Sequence, residues 1–107
     1  MTNVIVDAAL FADVKSYLNI TWEDDMTNRN VRNSIAQGMF FINDKLGEEG
    51  NYLVEGFPRT LLFEYARYAR DGALDVFENN YKSMILAMQN NRKVKSYAEK
   101  TAVPNGE

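Results

Sequence analysis

The segment 58–71, PRTLLFEYARYARD, reads as an α-helix that must be covered on two sides. Pro58, coming just after Gly56 and Phe57, suits a first helical turn because the amide it lacks would have had no partner there, and Gly72 supplies the stop. At about 100° per residue, Leu61, Leu62, Tyr65, Ala66, Tyr68 and Ala69 spread over roughly 160° of the circumference, wider than one packing partner covers. The remaining arc carries Thr60, Glu64, Arg67 and Asp71, spaced so that Glu64 pairs with Arg67 and Arg67 with Asp71 along a wet surface. The chain is therefore expected to wrap a bundle around this helix.

The flanking segments supply the neighbours. Asp7 is placed to cap a helix over 8–18, where Leu10, Val14, Tyr17 and Leu18 share a face with Phe11 at its edge, and Asn19 and Ile20 form a tight link. Residues 1–6 are short and β-branched and carry no assignment. Thr21 followed by Asp24 is a weak capping box, and Glu23, Asp24 and Asp25 fall in a first turn, where the helix dipole favours negative charge. That helix is expected to run to Leu46, since Val31, Ile35, Met39, Ile42 and Leu46 lie within roughly 80° of one another, with Ser34 and Gly38 leaving room for a close neighbour. The segment 47–57, GEEGNYLVEGF, reads as a solvated loop with a short extended piece at 52–54. After a turn at 71–73, Leu74, Phe77, Tyr81, Met84, Ile85 and Met88 share about 100° of arc, so 58–91 is a helical hairpin. The expected fold class is all-α, a small bundle of about four helices with this hairpin at its centre. One domain covers 1–100 and a flexible C-terminal tail 101–107, the basic character of the chain's end beginning at Arg92.

Composition narrows the chemistry. The 107 residues contain no cysteine and no histidine, which removes disulfides, thiolate metal sites and the side chain most used as a general base near neutral pH. Serines Ser16, Ser34, Ser83 and Ser96 have no activating context, and Glu48, Glu49 and Glu55 do not follow a calcium-loop pattern. No enzyme activity, cofactor or metal is expected. Twelve basic against fifteen acidic residues give a net charge of −3, which disfavours a protein held to DNA by bulk electrostatics. No run approaches the roughly 20 apolar residues of a membrane span, and the N-terminus lacks a secretory pattern, so synthesis in the cytoplasm is expected.

Two features remain over. Trp22, Met26 and Phe40 fall within about 40° of each other on the far side of the second helix, with Ala36 alongside. Two explanations stay open: cover by a loop or the N-terminal helix, or a subunit interface, where aromatic residues and Met are enriched. Arg92, Lys93, Lys95 and Lys100 gather near the C-terminus, either as a last helical turn with favourable charge or as a segment that docks on a partner.

Taken together, VKSYLNI at 14–20, the acidic opening of a long helix that ends in Leu46 and Gly47, LLFEYARYARDGALDVFENNYKSMI at 61–85 and VKSYAEK at 94–100 resemble the head-tail connector proteins of tailed bacteriophages and prophages, also called head-completion or adaptor proteins. The resemblance covers about residues 14–100 and is most specific in YARYARDG followed by FENNY. It implies a virion protein of the neck that forms a ring, commonly dodecameric, beneath the portal protein, lets DNA pass without specific binding, and offers a platform to a neck, stopper or tail-completion protein. Carried onto this chain, Arg92, Lys93, Lys95 and Tyr97 become candidates for portal docking, and Met26, Phe40 and Phe63 for contacts between subunits. The alternative is a small helical DNA-binding or regulatory protein using Arg59, Arg67 and Arg70, and a third possibility is a metal-dependent hydrolase built on carboxylates.

Overall fold

A computed structural model describes residues 6–101; residues 1–5 of the unassigned stretch 1–6 and residues 102–107 of the expected tail 101–107 lie outside them. Five helices and no strand are found among the described residues: α1 (Ala8–Tyr17), α2 (Asp25–Leu46), α3 (Phe57–Arg70), α4 (Leu74–Asn80) and α5 (Lys82–Thr101). The fold is a small all-α bundle.

Local chemistry sets the helix ends. The Asp7 carboxylate accepts the amides of Ala9 and Leu10 at 2.8 and 3.1 Å and opens α1. α1 closes with Asn19 in the left-handed region (φ 61°), so that Ile20 N–H donates to Lys15 C=O and Asn19 N–H to Ser16 C=O. This paired closure turns both Leu18 and Ile20 into the core. α2 starts later than its acidic opening suggests: the cap is Asp24, which accepts the Thr27 amide at 2.8 Å, and not Thr21. Trp22 therefore sits in the link before α2 and not on its first turn. The far end of α2 stops at Gly47, whose φ of 84° suits glycine.

The loop 47–56 makes bends without an extended piece, and Tyr52 anchors it from inside. That ring is buried, its hydroxyl donates to Asn43 Oδ1 at 2.6 Å, and the same oxygen accepts the Gly50 amide at 2.8 Å. Arg59 Nη1 donates to the Tyr52 carbonyl at 2.9 Å. The glycines and glutamates of this loop ride on a fixed frame.

α3 lies at the centre, touching α1, α2, α4 and α5. Leu61, Leu62 and Ala66 are fully buried between them. At Gly38 of α2 a Cβ would stand 2.8 Å from Leu62 Cδ1 and 2.9 Å from Tyr65 Cδ1, so the glycine lets α2 and α3 approach closely. α3 ends like α1, with Gly72 at φ 70° and Ala73 N–H reaching back to Tyr68 C=O at 2.8 Å.

The second arm of the hairpin is present, with a break. Tyr81 adopts φ −111° and ψ 17°, dividing the expected single helix into α4 and α5, while Tyr81 N–H still donates to Phe77 C=O and Ile85 N–H to Tyr81 C=O. The helical phase survives the kink, so Phe77, Ile85 and Met88 remain on one buried face. Phe77 is the hub of an aromatic cluster, with Phe41, Tyr65 and Tyr68 edge-on and Tyr81 stacked at 5.0 Å between centroids. α5 does not stop near Asn91; it continues through the basic segment to Thr101.

Candidate functional site

The portal-docking candidates lie on the last turns of α5, beyond the core. The buried face of α5 runs through Ile85 and Met88 and ends at Arg92, which is half-buried with Nε 3.1 Å from Glu48 Oε1. That contact is electrostatic, as the Nε–H is not aimed for a hydrogen bond. Past this point Lys93, Val94, Lys95 and Tyr97 are exposed, Val94 and Tyr97 by about 70% (69% and 71%). Aliphatic, aromatic and basic side chains thus share a short helical rod standing on a single packed root.

The three intersubunit candidates separate. Met26 and Phe40 are 63% and 77% exposed on the outer face of α2, about 21 Å apart along its axis. Asn30, Asn33 and Gln37 lie exposed between them, so the second apolar stripe has an amide-rich middle. Phe63 is half-buried and engaged within the chain, edge-on to Tyr17 at 5.3 Å and under the Arg59 guanidinium at 4.6 Å.

Beside that outer face is a groove of about 580 Å³. Its floor is Leu18, Ile20, Val31 and Ala66, and its rim holds Trp22, Asn30, Asn33 and Gln37 on one side and Arg70 on the other. Trp22 is half exposed at the end of this groove, anchored through its indole N–H to Thr27 Oγ1 at 3.4 Å.

Two polar assemblies hold the elements that shape these surfaces. Lys15, 7% exposed, sends its ammonium to Glu23 Oε2 and Asn28 Oδ1 at 2.8 Å each and to the Trp22 carbonyl at 3.3 Å, pinning the link to both α1 and α2. The Lys15 ammonium, then Asn28, holds the Glu23 carboxyl below the ordinary glutamate value. Glu64, read from sequence as wet, is instead half-buried at a junction of three helices. It accepts the hydroxyl of Tyr17, the hydroxyl of Tyr81 at 2.7 Å and the Arg67 guanidinium, Nε at 3.0 Å. The expected Glu64–Arg67 pair forms, whereas Asp71 pairs with Arg70 and not with Arg67. Burial first, and Glu64 second, push the Tyr81 phenol up to about 12.

The arginines that a DNA reader would use are all engaged within the chain. Arg59 binds Asp13 at 3.0 Å and the Tyr52 carbonyl, Arg67 binds Glu64, and Arg70 donates to the Leu18 carbonyl. Among the described residues no group of three or more His, Cys, Asp or Glu side chains is placed to hold a metal, and no helix is long and apolar enough to cross a membrane.

No protein-family model matches the chain, and no curated protein or solved structure is significantly similar to it. The groove, its amide rim and the buried Lys15 are not singled out by helical periodicity. A different signal marks the groove and its amide rim, though not Lys15: across 26–43 the only charged residues are Arg29 and Arg32. In a chain with 27 charged side chains, from twelve basic plus fifteen acidic, such a depleted run sets this surface apart.

Proposed function

We propose that the chain is a structural subunit of a phage or prophage neck, a head-tail connector that binds the portal protein through the end of α5 and joins copies of itself in a ring. The ring extends the DNA channel and presents a platform to the next neck or tail component. One observation carries the portal claim: α5 continues well past the last core residue, Met88, and displays Lys93, Val94, Lys95 and Tyr97 on a preformed helix. A helix already formed loses less freedom on docking than a coil, and exposed aromatic, aliphatic and basic side chains are the types that anchor interfaces. Membership of a DNA conduit is also compatible with the net charge of −3, since few phosphate contacts leave DNA free to slide.

The test is retention on purified portal rings of the full chain and of a chain lacking 92–107. The full chain is expected to be retained and the shortened one lost; equal retention removes the docking claim. The DNA-reading alternative finds little support in Arg59, Arg67 and Arg70, whose guanidinium groups are already taken. Salt-dependent binding to duplex DNA would restore it.

A further inference from the structure

We propose that the contact between copies is a knob-in-groove joint, in which the loop 47–56 of one copy inserts Leu53 and Val54 into the groove bounded by Trp22, Gln37 and Arg70 of the next. This rests on the ring reading and assigns the two surfaces that reading requires. A heterologous joint needs two different, complementary patches on each subunit, and these two lie toward opposite ends of α2, too far apart to meet within one molecule.

Three observations pair them. The first is shape. Leu53 and Val54 are consecutive, both more than half exposed, and held on a loop that Tyr52, Asn43 and Arg59 fix through hydrogen bonds of 2.6 to 2.9 Å. Two aliphatic side chains on a rigid loop form a knob, and the groove floor of Leu18, Ile20, Val31 and Ala66 is the apolar hollow. The second is charge. The loop holds no base, and of its three glutamates Glu48 and Glu55 pair with Arg92 and Arg59 within the chain, which leaves Glu49; in the run 26–43 that forms one wall of the groove the only charged residues are Arg29 and Arg32. Among the described residues no carboxylate lies within ion-pair distance of Arg29, and no cation lies within that distance of Glu49. The third is composition. The groove lining holds Trp22 and Arg70 and no Lys, Asp or Glu, the residue usage of an interface centre. The amides of Asn30, Asn33 and Gln37 add donors and acceptors along the rim for the main chain of an inserted loop.

The chain lacks cysteine, so single introduced cysteines report the joint directly. Full-length Leu53→Cys and Gln37→Cys proteins are mixed at about 1 mM, a concentration that populates even a weak contact, and oxidised mildly. The mixed disulfide is expected to exceed either homodisulfide by about tenfold. Glu49→Lys in the first protein, or Arg29→Glu in the second, is expected to lower the mixed product several-fold, and the two together to restore it. These sites are exposed, and unchanged circular dichroism controls for folding. A mixed disulfide no more than about twice either homodisulfide, which is the ratio of random pairing, no mixed disulfide, or no rescue by the double swap each overturns the joint. Retention on portal rings depends on α5 and not on these surfaces. A protein that binds portal rings but fails the cross-linking test rejects this joint alone, and one that cross-links but ignores portal rings rejects the neck reading alone.

Discussion

Lys15 shows how one side chain can fix a surface it does not join. Its ammonium is almost wholly covered and has three acceptors, one of them the Trp22 carbonyl at the head of the groove. Lys15→Ala is expected to cost about 2 kcal/mol of unfolding free energy through lost charge-assisted bonds, read as a lower urea midpoint at unchanged slope. The carboxylates nearby make the same region acid-sensitive. Glu23 is held below its ordinary 4.5 by Lys15, and Asp24 below its ordinary 3.8 by the Thr27 amide. Their contributions to stability are complete above those values and are lost as pH falls through the lower folded ones. The melting temperature should therefore drop on acidification below about pH 4, and less steeply in Glu23→Gln with Asp24→Asn. Tyr81 acts at the other extreme. Its phenol is raised from 10.0 to about 12, so the stability of the half-buried neutral ring is whole below pH 10.0 and is lost as pH rises through about 12. A spectrophotometric titration should show a late tyrosine class, and Tyr81→Phe should remove one member of it.

At the level of helices, the α2–α3 contact depends on Gly38. Gly38→Ala would gain about 1 kcal/mol in helix propensity, but the new methyl would stand inside contact distance of Leu62 and Tyr65, and overpacking costs about 1–3 kcal/mol. The expected net is a loss of about 1 kcal/mol, measured by urea denaturation. Gly38 also shows what periodicity can convey: the stripe Val31, Ile35, Ile42, Leu46 with a small residue beside it was readable because burial on one helix follows its phase. The start of α2 was not, since Thr21 and Asp24 offer similar caps and the choice falls to Lys15, which holds 22–23 outside the helix. The Tyr81 break left no trace because α4 and α5 keep one helical phase across it. Glu64 looked wet because a single helix does not reveal that Tyr17 and Tyr81, 47 residues before in one case and 17 after in the other, bring hydroxyls to it. Likewise the groove exists only once the link 18–22 is folded against α2 and α3.

For the molecule as a whole, the core and the candidate docking rod are separable. Removing 92–107 deletes the partly exposed ion pair of Arg92 with Glu48 and the exposed Val94 and Tyr97, and no buried apolar side chain among the described residues. Such a truncation should lower unfolding free energy by about 1 kcal/mol or less while shedding helical signal, checked by denaturation followed with circular dichroism. The root of the rod is another matter. Because Tyr81 at the junction of α4 and α5 and Tyr17 at the end of α1 both close on the Glu64 carboxylate, the near end of α5 is tied to α1 and α3. A pull on the tip of α5 would peel the turns carrying Met88 and Ile85 first and meet this three-way rivet last, so unravelling of α5 should halt where it joins α4.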